Sequence, residues 1–170
     1  MLMLKNQART LGLIAIAVSG ITIASCSKNE EPDKVYRSKE YPLKDKANAA
    51  AGKVTVQETS DSTFRLTIRL DKSTKDTSYT FAILKGSTGT PTSDTAFAMR
   101  ITSQTTGAPV DAKFDRIDSI QIDETHKQKF TYDSLLKYQA FVNVTFKDLE
   151  DVAAPKDSLV AIGNIGKSAQ

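Results

Sequence analysis

The sequence has one cysteine and one histidine in 170 residues, and little excess charge of either sign. A single cysteine rules out an internal disulfide, so the fold rests on its own apolar core. A domain of roughly 130 residues can bury enough surface for that. A zinc site needs three or four ligands, and one imidazole cannot supply them. His126 sits in the polar run Asp123-Glu124-Thr125-His126-Lys127-Gln128-Lys129 and reads first as a solvated loop histidine, with a general-base or metal role as the lesser alternative. The chain carries 23 basic and 20 acidic groups, of which Lys5 and Arg9 fall in the first ten residues. Without those two, 21 basic groups face 20 acidic ones, a balance that argues against nucleic-acid binding.

Other chemical signatures are missing as well. There is no Gly-x-Ser-x-Gly elbow. The run Lys85-Gly86-Ser87-Thr88-Gly89-Thr90 lacks the Gly-Lys-Ser/Thr ending of a phosphate loop and reads as a hairpin turn. Carboxylate-only calcium binding stays open at Asp111, Asp115 and Asp118, but they lack calcium-loop spacing and read first as a solvated turn. No heptad, internal repeat or dinucleotide-binding pattern is present. The expectation is a protein without catalytic residues, metal or cofactor.

The first 25 residues do carry a signal. Lys5 and Arg9 precede a mostly apolar stretch, Leu11 to Ala24, interrupted by Ser19, Gly20 and Thr22. This is a positive n-region followed by a short h-region. The stretch is shorter than the roughly 20 residues a spanning helix needs. It ends in Ile23-Ala24-Ser25-Cys26, which resembles the lipobox of bacterial lipoproteins. Small residues suit a narrow peptidase site, and the Cys26 thiol would take the lipid. Residues 1–25 are therefore expected to be a signal peptide, and Cys26 the site of lipid attachment, with acyl chains such as palmitate. Residues 26–37 read as the lipidated cysteine and a polar tether, and residues 38–170 as one domain. Fully extended, the tether would reach roughly 35 Å. Ser27, rather than an aspartate, points to the outer membrane. The acidic cluster Glu30-Glu31-Pro32-Asp33 resembles a surface-export signal, which leaves the periplasmic and external faces both open.

From Tyr36 onward the period is two. Phe64, Leu66, Ile68 and Leu70 alternate with Arg65, Thr67 and Arg69. Lys53–Gln57 alternates before them, and Thr59-Ser60-Asp61-Ser62 supplies a turn, so the two form a hairpin. Further runs are Tyr79–Ile83, Phe97–Ile101, Ile117–Ile122 with an imperfect phase that could mean a bulge, Ala140–Phe146 and the continuous Leu159–Ile162, with a short strand near Tyr36–Leu43. Thr131 can cap one short helix in which Leu135 and Leu136 pack inward. Seven or eight short strands with turns between them predict an all-β, antiparallel Greek-key β-sandwich with one short helix.

Five triplets repeat one chemistry: Asp61-Ser62-Thr63, Asp94-Thr95-Ala96, Asp118-Ser119-Ile120, Asp133-Ser134-Leu135 and Asp157-Ser158-Leu159. Composition alone would give about one. They resemble acceptors of an O-glycosylation system for exported proteins, which makes Ser62, Thr95, Ser119, Ser134 and Ser158 candidate sites. Asx-turns and strand starts favour the same dipeptides for structural reasons.

Three further stretches carry a family resemblance. Gly52-Lys53-Val54-Thr55-Val56 with its hairpin, Thr131-Tyr132-Asp133-Ser134-Leu135-Leu136 followed by Ala140-Phe141-Val142-Asn143-Val144, and Ala161-Ile162-Gly163-Asn164-Ile165-Gly166 resemble CHRD-like domains. These are extracytoplasmic β-sandwiches, themselves similar to copper/zinc superoxide dismutase. The resemblance implies a metal site built on a His-x-His pair and a later histidine. The corresponding positions here are Ala82, Leu84 and Thr145, so metal-dependent dismutase activity is not expected. By alternation Ala82, Leu84, Phe141, Asn143 and Thr145 share a face turned away from the core. That face is a candidate binding patch, unless a loop covers it.

The sequence thus predicts a non-enzymatic, lipid-anchored cell-envelope protein that binds or scaffolds at the outer membrane, with an envelope protein or glycan as partner. Two alternatives stand beside it. A metal-binding or dismutase-like domain would need ligands this chain lacks. A carbohydrate-binding accessory module would need exposed aromatics, for which Phe141, Tyr132 and Tyr138 are the candidates.

Overall fold

The computed structural model describes residues 34–122, 125–148 and 156–170. The lipobox Ile23, Ala24 and Ser25, the lipid-attachment residue Cys26 and the acidic cluster lie outside the described residues. Residues Lys34–Gln170 form one compact unit.

Alternation of apolar and polar side chains sets the strands. The first three are β1 (Ser38–Lys44), β2 (Ala50–Glu58) and β3 (Phe64–Leu70). A long hairpin follows, β4 (Ser78–Ser87) and β5 (Thr90–Thr102), and then β6 (Val110–Ile117). A small ribbon pairs β7 (Ser119–Gln121) with β8 (Lys127–Lys129). Helix α1 (Tyr132–Lys137), β9 (Gln139–Asp148) and β10 (Lys156–Gly166) complete the chain, ahead of a 3-10 turn at Lys167–Ala169.

The eight long strands run in the order β5-β4-β9-β10-β1-β2-β3-β6, all neighbours antiparallel. Only Lys44 and Ile162 pair across β1 and β10. That seam folds the order into two four-stranded sheets, β1-β2-β3-β6 and β5-β4-β9-β10. Strands distant in sequence become neighbours at β3–β6, β4–β9 and β10–β1, the long connections of a Greek-key sandwich. The expected all-β sandwich is present, with eight strands in its body and the ribbon as an addition.

The core lies between the sheets. Leu43, Val54, Val56, Leu66 and Ile68 from one sheet meet Phe81, Ile83, Val142, Val144 and Ala161 from the other, all at most 1% exposed. Thr131 caps α1, accepting a hydrogen bond from the Ser134 amide at 3.3 Å, and Asp133 occupies the first turn as expected. Leu135 and Tyr132 bury one face of α1 against the end of the sandwich. Near another loop cluster, buried Ser73 and Ser103 bond each other at 2.6 Å, and Ser73 donates to the Ala108 carbonyl at 2.7 Å.

Two expectations are corrected. The run Ile117–Ile122 is not one strand: Ile117 closes β6, and Ser119–Gln121 belongs to the ribbon. Asp111 and Asp115 do not form a solvated turn, because they project from β6. Asp111 accepts from Arg69 at 3.3 Å and Asp115 pairs with Arg65, partners directly across the β3–β6 ladder or one step from it.

Ordered contacts begin before β1. The Arg37 guanidinium bonds both oxygens of Glu58, at 2.9 and 3.0 Å, and both of Asp133, at 2.8 and 3.1 Å. It also lies over the Tyr132 ring, 4.6 Å from the centroid. Glu58 is only 8% exposed, so this fork is what allows a carboxylate there. Hydrogen bonding from Arg37 pulls the Glu58 carboxyl down to about 2 and lowers that of Asp133 as well.

A pH dependence follows from this arrangement. The unfolded carboxyl titrates near about 4.3, above its folded value, so the unfolded state binds more protons in between. The contribution of Glu58 is therefore complete above about pH 5 and is lost as pH falls towards about 2. Urea midpoints measured across that window should fall with acid in the parent. In Arg37→Gln, which removes the fork, the dependence should flatten; an unchanged slope would refute the assignment.

Candidate functional site

The two outer faces of the sandwich differ in kind. On the β1-β2-β3-β6 sheet the outward positions carry charge. Lys53 pairs with Glu40 at 2.7 Å, and the Arg65–Asp115 and Arg69–Asp111 pairs lie beside it. An antiparallel sheet with one face in water normally looks like this.

The other sheet does not follow that pattern. Its cross-strand pairs are Thr80–Thr145, Ala82–Asn143 and Leu84–Phe141 on β4 and β9, continued by Ile162 and Asn164 on β10. None of these side chains ionises. Charge reaches the outward rows only at the margins, at Arg100, Lys147 and Asp157. The five predicted patch residues, Ala82, Leu84, Phe141, Asn143 and Thr145, all line one open concavity of about 500 Å³. Thr88, Pro91 and Thr92 from the β4–β5 hairpin wall one side, and Asp157 and Leu159 wall another.

The hairpin explains the depth of the groove. Gly86 has φ +98°, so β4 turns sharply before its last residue. The Thr88 amide donates to the Asn164 carboxamide at 2.8 Å, and the Ser168 hydroxyl donates to the Gly86 carbonyl at 2.8 Å. The turn is thus held against β10 and the residues after it. Phe141 becomes 2% exposed, while Ala82, Leu84, Asn143 and Thr145 stay half-buried. Cover by a loop is therefore partial. The Asn143 side-chain oxygen Oδ1 is buried with no hydrogen-bond partner among the described residues. An acceptor left in that state costs roughly 1–3 kcal/mol.

The groove presents no acid, base or metal ligand on its floor. Among the described residues no three His, Cys, Asp or Glu side chains come together. His126 is exposed, with the Thr125 hydroxyl 2.9 Å from Nδ1. Of the aromatics considered for sugar stacking, Phe141 near the hairpin and Tyr132 beneath Arg37 are buried, while Tyr138 is half-buried and edge-on to Phe130 at 5.2 Å. Of the candidate glycosylation residues, Ser62 in the β2–β3 turn and Thr95 on β5 are exposed. Ser119, Ser134 and Ser158 are half-buried. Ser119 bonds Asp118 at 2.8 Å, and Ser134 lies 3.1 Å from the Thr131 hydroxyl.

Sequence reasoning missed one feature and placed another, the bulge, a few residues too late. The Arg37 fork joins residues 21 and 96 positions apart, which leaves no local pattern to read. Pairing across β3–β6 includes a bulge: Phe64 faces Ile117 and Leu66 faces Phe114, so Asp115 and Arg116 together oppose Arg65. Arg116 has φ +53° there, an uncommon conformation for a residue with a side chain.

No protein-family model matches the chain, and comparison with curated proteins finds no match. Among solved structures, the chain is similar to a point mutant of an SOD-like protein from Bacillus subtilis. The two are 13% identical with a TM-score of 0.49, over 78% of this chain and 99% of that one.

Proposed function

We propose that the chain is a non-enzymatic, lipid-anchored cell-envelope protein whose CHRD-like sandwich binds a partner protein in the groove over β4, β9 and β10. The observation that carries this reading is the difference between the two outer faces. A face with no role in binding would be expected to carry charge, as the opposite sheet does. This one keeps an uncharged, half-buried floor and a buried acceptor at Asn143. An uncharged polypeptide segment suits such a floor. A sugar would find no fully exposed aromatic to stack on among the three candidates. Lipid on Cys26 and an outer-membrane address belong to the same reading, supported by Ile23-Ala24-Ser25-Cys26 and by Ser27.

The test is site-specific photocrosslinking in membranes of the native host. A photoreactive residue at Thr145 should give one adduct of defined mass, and the same residue at Thr67 on the charged face should give none. Adding Ala82→Glu, which places a charge on the groove floor, should reduce that adduct at least tenfold while the melting temperature changes little. Equal adducts from both faces would end the protein-binding reading. One equivalent of tightly bound copper or zinc in the purified protein would favour the metal-binding alternative instead.

A further inference from the structure

The bulge in β6 places an arginine where an anion can reach it. Arg116 holds φ +53°, a strained conformation for a residue with a side chain. Strain of this kind persists where surrounding structure imposes it, and bulges serve to re-aim a side chain. The re-aimed guanidinium lines an open concavity of about 520 Å³ with Arg65, Asp115, Thr59 and Thr63. Arg65 is committed to Asp115. Arg116 is exposed and has neither an ion pair nor a hydrogen bond among the described residues. The Thr63 hydroxyl is held by contacts to Thr59 at 2.9 Å and Ser60 at 2.7 Å, so the rim of the hollow is fixed and rich in hydroxyls. Two arginines against one aspartate leave the lining with a formal charge of +1.

The position of this hollow points the same way. Lys34 pairs with Asp61 in the β2–β3 turn, and Arg37 grips Glu58 at the end of β2. The chain therefore joins the domain beside the turn that supplies Thr59 and Thr63. Lys34 lies eight positions after Cys26, at most about 28 Å of chain. Under the lipid-anchor reading, on which this step rests, that end of the domain lies near the membrane surface.

We propose that Arg116, with Arg65 and the Thr59 and Thr63 hydroxyls, forms an oxyanion site that takes the phosphate of a lipid headgroup. The contact adds an electrostatic hold to the lipid anchor and orients the domain on the bilayer.

The experiment uses the chain from Cys26 onward with Cys26→Ala, so that headgroup binding is read without the acyl anchor. Co-sedimentation with phosphatidylcholine vesicles containing phosphatidic acid should show binding that pure phosphatidylcholine does not. Arg116→Ala should weaken it about fivefold, the worth of one well-placed cation at an anionic surface. Arg100→Ala, on the other sheet, should leave it unchanged. Arg116→Gly should also lose binding while melting higher than the parent, because glycine removes the strain along with the charge. Equal loss in Arg100→Ala and Arg116→Ala, or no loss in either, would overturn the site. Binding of inorganic phosphate as tight as binding of vesicles would overturn the headgroup assignment. Failure of the lipid-anchor reading appears separately, as a Cys26 that takes up no labelled palmitate, and leaves these vesicle results interpretable.

Discussion

Replacing Cys26 by serine is expected to move the protein from the membrane fraction to the soluble fraction altogether. Relative magnitudes decide this outcome. Each buried methylene of an acyl chain contributes about 0.8 kcal/mol, and one chain alone gives only marginal attachment, whereas two or more give stable anchoring. Against that, the phosphate contact proposed for Arg116 adds about a factor of five. On the proposed reading the lipid hangs from a thioether that a hydroxyl cannot form, so Cys26→Ser would remove by far the stronger of the two proposed attachments. Fractionation and labelled-palmitate uptake in the native host check this together. A Cys26→Ser protein that pellets with membranes as fully as the parent would refute the anchor. So would a parent protein that takes up no palmitate.

The sandwich was legible because its signal is local. Phe64, Leu66, Ile68 and Leu70 alternate without interruption, and they bury as read. Thr131 and Leu135 announce α1 in the same way. Strand β6 was not legible. Ala112 is too small to stand out, Asp111, Lys113 and Asp115 occupy the outward places, and the bulge at Asp115 and Arg116 shifts the phase before Ile117. A strand on a charged face with a bulge has the local composition of a turn. Its identity comes from Arg65 and Arg69 across the ladder, more than 40 residues away.

The patch was legible for a different reason. Alternation fixes which side chains share a face, so Ala82, Leu84, Phe141, Asn143 and Thr145 could be grouped without knowing the pairing. The concavity over them was not readable. It depends on a hairpin that bends at Gly86 and is fastened by Asn164 and Ser168, two contacts made 76 and 82 positions away. The closing run Ala161-Ile162-Gly163-Asn164-Ile165-Gly166 therefore has a mechanical meaning. Its asparagine holds the groove wall, and its glycines allow the seam and the helix to come close.

Those glycines carry the second large effect. A Cβ on Gly163 would stand 2.4 Å from the Pro42 carbonyl oxygen and 2.9 Å from a Leu43 methyl, at the seam where β1 meets β10. On Gly166 it would stand 2.3 Å from the Tyr138 carbonyl and 2.4 Å from that of Leu135, with φ +60° in addition. Those two carbonyls accept from the Lys167 and Tyr138 amides, at 2.9 and 3.0 Å, so neither can turn away freely. Gly166→Ala combines backbone strain with a backbone clash, about 3–4 kcal/mol together, and should lower the melting temperature by about 10 °C or more. Gly163→Ala has the clash alone and should cost somewhat less. Gly107→Ala isolates the strain, since its φ is +78° but nothing lies within 4 Å, and should cost about 1–2 kcal/mol. Gly89→Ala has neither and should be near neutral or slightly stabilising. Thermal melts of the four variants read the order directly. If Gly166→Ala melts with Gly107→Ala, the helix end yields to the added methyl and the close packing is not what requires glycine. If the order holds, Gly163→Ala should also weaken the Thr145 crosslink, because a displaced β10 carries Asn164 and the groove wall with it.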